Sequence, residues 1–333
     1  MPPPDSAETA LGRAEELAER VLPDRSPKRR MLVIVNPYAT TVSDRLKNLV
    51  VYALQGRYSV EAVDTQARSH ATQICREAAS EGYDVVVAFG GDGTVNEAAN
   101  GLVGSDTPLT CLPGGSTNVF ARTLGIPNDV VDATEHLLRM ADEFEPRQVD
   151  TGRVNGRHFV FSAGIGLDAS VVERVDAHPK LKARLGEYYF TWAAISTFNK
   201  RYLFKPPRVR VSVGERSISG VTVIVQNSDP FTYFGTRPIH VGRDVSLDSG
   251  TLALTVLRRA TPLEMPTLIP RLFSGRGDSV SRHRQVESVV GVERLVVETE
   301  DERPFPLEVD GDFIGEIGSA EFEVAARSLR VVS

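Results

Sequence analysis

Apolar residues follow two different rhythms along this chain. Met31–Val35 is a short continuous apolar run, and Ser43–Leu54 repeats apolar positions at helical spacing. Tyr58–Asp64 then reads as a strand, His70–Ser80 as a helix and Asp84–Phe89 as the strongest apolar strand. Glycines and a helix to Leu102 follow. Thr107–Leu112 is a further strand, again followed by glycines and a helix, and Val130–Asp142 is a last helix. Strands alternating with helices predict a parallel sheet covered by helices on both faces. Near Asp150 the rhythm changes to short alternating strands: His158–Ala163, Arg208–Val213, Ser217–Gln226, Thr251–Leu257 and Val286–Thr299. These predict a mainly antiparallel β-domain, with helices near 168–204 and 261–274. Asn155-Gly156 is a tight hairpin-turn signal. Two closing strand-like pieces, Ala320–Ala325 and Ser328–Val332, fit either domain. Ahead of all this, residues 7–22 carry a helical apolar stripe that Pro23 ends, followed by the basic cluster Lys28, Arg29 and Arg30.

Composition narrows the function classes. The 333 residues are 41% hydrophobic and 25% charged, as in ordinary globular enzymes, with net charge -6. An acidic balance argues against a nucleic-acid partner. Cys75 and Cys111 have no CxxC spacing and read as two reduced core thiols. No apolar run approaches the roughly 18 residues of a membrane-spanning helix, and the start lacks a signal-peptide pattern. A cytoplasmic location is therefore expected.

Chemistry concentrates where strands end. Gly90-Gly91-Asp92-Gly93-Thr94-Val95-Asn96-Glu97 follows a buried strand and opens a helix. That is where an α/β sheet binds phosphate, because glycines let backbone amides approach closely at a helix N-terminus. A plain turn is the competing reading. One strand later Leu112-Pro113-Gly114-Gly115-Ser116-Thr117-Asn118 repeats the arrangement, and a parallel sheet would bring both turns to one edge. Asn36-Pro37 after the first strand could contact phosphate or simply make a turn. There is no GxxxxGK[ST] and no GxGxxG after the first strand, which excludes a P-loop and disfavours a dinucleotide site.

Taken in order, these segments resemble the diacylglycerol kinase catalytic family, which includes sphingosine, ceramide and bacterial lipid kinases. The resemblance rests on Asn36-Pro37, GGDGTVNEAANGL at 90–102, LPGGSTNVFARTLGIP at 112–127, Asp150-Thr151-Gly152, Gly164–Ala169 and Val309-Asp310-Gly311-Asp312. It implies a three-layer α/β nucleotide-binding domain over 31–149, with strands from about 316 to 333 returning to it. A β-sandwich lipid domain would span 150–315, and 1–30 would be a helical extension and linker. The chain departs from the family pattern at Tyr38-Ala39-Thr40, where a glycine is missing, at Val119, where an acid is missing, and at Asp312, which replaces a glutamate.

The resemblance also implies ATP and Mg2+ as cofactors and a lipid hydroxyl as acceptor. Asn36, Thr40, Thr65, Gly90, Gly91, Asp92, Gly93, Thr94, Asn96, Gly115, Ser116 and Thr117 would hold the nucleotide. Asp92 would hold the metal, since a carboxylate beside phosphates needs a bridging cation. Asp312 would accept the acceptor's proton with Asp310 as its close partner, although Asp-Gly is also a favoured hairpin pair. Asp248, in Ser246–Leu252, is a candidate for a second, structural metal, with an ordinary turn as the alternative. The basic and aromatic stretch from Lys180 to Phe204, with Tyr188, Phe190, Trp192 and Phe198, suggests peripheral contact with the inner membrane face. The N-terminal helix leaves a homodimer open. Two further functions compete: a kinase of a soluble metabolite such as NAD, and a lipid- or nucleotide-binding protein without catalysis.

Overall fold

A computed structural model describes residues 12, 13, 15, 16, 28–39, 42–166, 208–261, 264–275 and 278–333. Most of the expected 7–22 helix, Thr40 and the aromatic stretch 180–204 lie outside the described residues. The chain divides into two compact units, Met1–Val149 with Ser328–Ser333, and Asp150–Arg327.

The first unit alternates β1 (Arg30–Val35), α1 (Asp44–Leu54), β2 (Ser59–Asp64), α2 (His70–Glu81), β3 (Val85–Gly90), α3 (Asp92–Leu102), β4 (Leu109–Pro113), α4 (Val119–Thr123) and α5 (Val130–Met140). The strands pair in parallel in the order β2-β1-β3-β4. Helix pairs α1–α5 and α2–α3 pack on this sheet, giving helix, sheet and helix layers. Every residue of β3 is buried, as expected of a strand covered on both faces. Local signals set the helix ends. Ser43 Oγ accepts Leu46 N–H, Asp129 accepts the amides of Val131 and Asp132, and α2 stops at left-handed Gly82 (φ 72°). The register has one consequence for function. Val35 pairs with Phe89 and Phe89 with Leu112, so the loops after β1, β3 and β4 all begin on the same edge.

The second unit is built from β5 (Arg147–Val154), β6 (Arg157–Phe159), β7 (Ser162–Gly166), β8 (Val209–Val213), β9 (Arg216–Gly220), β10 (Thr222–Gln226), β11 (Thr232–Phe234), β12 (Arg237–Ile239), β13 (Leu252–Leu257), α6 (Met265–Leu272), β14 (Val286–Val292), β15 (Arg294–Thr299), β16 (Phe305–Val309), β17 (Asp312–Ile317) and β18 (Ser319–Val331). One layer joins β18, β15, β8 and β9, with β5 on β18 and β6 on β5; the other runs β14-β13-β10-β7-β16-β17. A shared core of Phe159, Ile165, Val211, Val225, Leu254, Leu295, Leu307 and Phe322 lies between the layers, which makes the unit a sandwich. Asn155 and Gly156 have φ of 47° and 87°, the type I′ geometry that their dipeptide predicts. Gly152 pairs with Phe159 across that hairpin, and any Cβ there would fall inside the Phe159 ring.

The second half departs from the pattern reading at several strands. His158–Ala163 breaks into β6 and β7, Ser217–Gln226 into β9 and β10, and Val286–Thr299 into β14 and β15. At two of these breaks the linking residues, Val160, Phe161 and Val221, are themselves apolar and buried, so the apolar pattern alone does not show where a strand changes partner. β11 and β12 were not expected, and β5 and the β16–β17 pair were implied only by the Asn155-Gly156 and Asp310-Gly311 turn signals. The closing pieces form one strand, β18, with Phe322 pairing Leu295 in the second unit and Val331 pairing Leu109 in the first. Residues 316–327 stay with the second unit and 328–333 return to the first.

Candidate active site

Two glycine loops meet at the carboxyl edge of the first unit's sheet. Gly114 N–H donates to Gly90 O at 2.9 Å. A Cβ on Gly114 would lie 2.9 Å from Gly90 Cα, and one on Gly115 would lie 2.8 Å from Gly91 Cα. Such distances leave no room for a side chain, so this backbone contact requires glycine. Gly91 caps α3 in an extended conformation and supplies no side chain to its free amides. Asp92 opens the helix, where a negative charge is favourable. Its Oδ2 accepts a hydrogen bond from Thr117 Oγ1 at 2.9 Å, tying the second loop to the first.

The other expected nucleotide contacts cluster around this core. Asn36 N–H donates to Phe89 O at 3.0 Å, and Asn36 Nδ2 donates to Thr94 Oγ1 at 3.1 Å. Thr94 is buried, and a Cβ on Gly90 would sit 2.7 Å from Thr94 Cβ. Thr65 follows β2 and donates its N–H to Val35 O at 2.8 Å, which places it on the same edge. Gly93 lies in the first turn of α3, and Ser116 is exposed at the loop tip. Asn96 is fully buried and receives Asn100 Nδ2, so it braces the helix interior. Two residues inside the quoted motifs have roles that sequence reasoning did not assign. Glu97 accepts the amides of Ser69 (2.7 Å) and Ala71 (3.2 Å), capping α2 from α3. Left-handed Asn118 (φ 48°) accepts Gly115 N–H and donates to Gly115 O, both at 2.9 Å, and so fixes the second loop.

In the second unit, Asp310 and Asp312 flank the β16–β17 turn and have different surroundings. Asp310 is fully buried with φ 48°. Its carboxylate accepts three backbone amides, Val160 at 2.8 Å, Phe161 at 2.9 Å and Ser162 at 3.1 Å. Asp312 starts β17 and is partly exposed. Buried Glu308 accepts Gly311 N–H at 2.8 Å and closes the turn. A further buried carboxylate, Asp150, accepts Gly250 N–H at 2.6 Å and Arg327 N–H at 2.7 Å, while its carbonyl accepts Asn227 Nδ2 at 2.8 Å.

Comparison with known proteins decides what this arrangement belongs to. Residues 30–154 match the diacylglycerol kinase catalytic domain, and residues 161–333 match the YegS C-terminal NAD kinase beta sandwich-like domain. The chain belongs to the diacylglycerol kinase catalytic domain family. It is 26% identical over 311 residues to a diacylglycerol kinase of Bacillus subtilis (strain 168), covering 91% of this chain and 96% of that protein. A diacylglycerol kinase of Staphylococcus aureus (strain bovine RF122 / ET3-1) is 25% identical over 296 residues, covering 87% and 88%. A crystal structure described as a candidate diacylglycerol kinase from Bacillus anthracis str. Sterne superposes with TM-score 0.69 at 26% identity, covering 93% of this chain and 96% of that one.

Membership in this kinase family implies use of ATP and a divalent metal. Asp92 offers a hard oxygen ligand beside the glycine-lined amides and the Thr117 hydroxyl, a donor set that suits Mg2+ completed by phosphate oxygens. Among the described residues no group of three or more His, Cys, Asp or Glu could hold a metal by itself. Asp248 Oδ1 accepts Ser246 Oγ at 2.6 Å in an exposed turn and supplies a single carboxylate there. Cys75 and Cys111 are buried free thiols; burial pushes Cys75 up to about 12 and raises Cys111 further, so both stay protonated. No helix among the described residues is long and apolar enough to cross a membrane.

Proposed function

We propose that this chain is an ATP- and Mg2+-dependent lipid kinase that transfers the γ-phosphate to a lipid hydroxyl, with diacylglycerol as the reference acceptor. The observation that carries the reading is the contact of two glycine loops at the N-terminus of α3, with Asp92 joined to Thr117. The α3 amides and the positive end of its dipole receive the nucleotide phosphates. Thr94, Ser116 and Thr117 add hydroxyl donors, and Asn36 and Thr65 border the same edge. Mg2+ held by Asp92 would neutralise charge on the transferring phosphoryl group. Asp310 has its oxygens committed to three amides and orders the turn, whereas Asp312 is partly exposed and accepts the acceptor's proton as the phosphate bond forms. The relatives' names support a lipid acceptor over a soluble one.

The test is phosphate transfer from labelled ATP with Mg2+ to a mixed lipid extract and, in a separate reaction, to NAD, resolved by chromatography, with Asp92→Asn and Asp312→Asn beside the wild type. A labelled lipid that both substitutions abolish is the expected result. Labelling of NAD, with no labelled lipid, would replace the lipid reading with a soluble acceptor.

A further inference from the structure

The β11–β12 hairpin leaves the second unit's sheet just after β10 and returns before β13. Besides the β11–β12 ladder, three bonds join its two legs. Gln226 Oε1 accepts Gly242 N–H at 2.6 Å, Asp229 Oδ2 pairs with His240 Nδ1 at 2.7 Å, and Phe231 N–H donates to Ile239 O at 3.0 Å. The middle pair does more than a brace requires. Because a carboxylate only accepts, the bond places a proton on Nδ1, and in the neutral ring His240 Nε2 is a lone-pair acceptor. Among the described residues Nε2 has no hydrogen-bond partner. The two side chains are about a quarter exposed, 27% for Asp229 and 20% for His240, so the pair reaches the surface. Burial raises the Asp229 carboxyl, and the His240 hydrogen bond opposes that rise.

The surroundings are rich in unmet acceptors. Asn227 and Ser228 are fully buried, and Asn227 Oδ1, Ser228 Oγ and Asp229 Oδ1 find no hydrogen-bond partner among the described residues. Three such buried atoms in succession are unusual in a folded domain and make the end of β10 a polar region. The pair also lies on the edge that carries the Asp310–Asp312 turn. Gln226 pairs with Ser162, and Val309 pairs with Ala163, so β10 and β16 end two strands apart, about 10 Å at ordinary strand spacing. Asn227 N–H and Ser228 N–H donate to Phe161 O, and Phe161 N–H donates to Asp310. One short segment thus links the two sites.

We propose that Asp229 and His240 form a hydroxyl-binding subsite for the acceptor lipid, in which His240 Nε2 accepts a hydrogen bond from a headgroup hydroxyl other than the one phosphorylated. Asp229 is a positioning residue that holds the imidazole in the required tautomer. This rests on the lipid-kinase reading and sharpens it: the preferred acceptor carries at least two free headgroup hydroxyls.

The test compares 1-octanoylglycerol, which has two hydroxyls, with 1,2-dioctanoylglycerol, which has one, in mixed micelles. The substitution is His240→Asn, whose amide can keep the bond to Asp229 while removing Nε2. The wild type should favour 1-octanoylglycerol by about 5- to 10-fold in kcat/KM, the range one added hydrogen bond gives. His240→Asn should erase the preference through lipid KM, leaving ATP KM and Tm in place. In protein carrying 15N-histidine, without nucleotide, the Nε2 resonance missing from His240→Asn should move with 1-octanoylglycerol and stay still with the diacyl lipid. Phosphorylation of both lipids without preference and without that movement overturns the subsite and leaves the kinase reading standing. A moving resonance with neither lipid phosphorylated keeps the subsite and removes the kinase reading; a still resonance with neither phosphorylated removes both. Loss of Tm with equal loss toward both lipids reduces the pair to a hairpin brace and overturns the subsite.

Discussion

Asp310→Asn and Asp312→Asn separate the two acids of the β16–β17 turn, and their outcomes should be opposite. Asp310 is fully buried, and its Oδ1 serves Phe161 and Ser162 while Oδ2 serves Val160. Asparagine has the same shape and tolerates the left-handed backbone (φ 48°), so the substitution changes little except the hydrogen bonds. The amide oxygen can keep the two amides on one side. The new NH2 then faces Val160 N–H, donor against donor. Losing one charge-assisted bond costs about 1.5–3 kcal/mol, and turning two others neutral costs about 0.5–1 kcal/mol each, so destabilisation of about 3–5 kcal/mol is expected. Asp312 is partly exposed, and its substitution should leave stability within about 0.5 kcal/mol. Its expected loss is in kcat, by about 10²–10⁴, the usual range for removing a general base. Urea titration followed by fluorescence gives the first quantity and initial rates of lipid phosphorylation give the second. An Asp310→Asn protein as stable as wild type would refute the hydrogen-bond argument. A fully active Asp312→Asn protein would refute its role as base.

Three further outcomes follow from the geometry. Gly115→Ala sets a methyl 2.8 Å from Gly91 Cα, and should cost about 1–3 kcal/mol in thermal unfolding and raise ATP KM; an unchanged Tm would show that the loops can separate freely. Glu97→Ala uncaps α2 at Ser69 and Ala71, and denaturant unfolding should report a loss of about 1–2 kcal/mol while kcat stays in place; a kcat lost at full stability would make Glu97 part of the chemistry. His136, His158 and His283 all have lowered pKa values, burial being the main cause in each. The unfolded chain therefore binds protons that the folded one does not, and stability should fall as pH drops below about 6.5, with a shallower slope in the His136→Gln, His283→Gln double variant. Equal slopes in that variant and in the wild type would assign the pH dependence to other groups.

The first unit was legible because its signals are local. An apolar run, a glycine turn and a capped helix each occupy a dozen residues or fewer, and Ser43, Asp129 and Gly82 mark helix ends where they stand in the chain. The parallel pattern alone placed the turns at 90–94 and 113–117 on one edge, because parallel strands end together. The second unit was less legible. Its strands are short and change partner across buried apolar residues, as at Val160-Phe161 between β6 and β7 and at Val221 between β9 and β10. The signal for β16 and β17 was present as the Asp-Gly turn, where a hairpin and a catalytic reading stood side by side, and the structure places Asp310 and Asp312 around such a hairpin.

By itself the sequence determined the order of elements in the first unit, the change of architecture at Asp150, the two glycine loops and the acids that could serve them. It could not rank Asp310 against Asp312, because the three amides that engage Asp310 lie some 150 positions away in the chain. Nor could it pair Asp229 with His240, bring Glu97 onto the start of α2 or show Thr117 on Asp92. A side chain's role depends on which donors and acceptors the fold gathers around it. That gathering is set by strand pairing across long stretches of chain, so it became visible only in the tertiary structure.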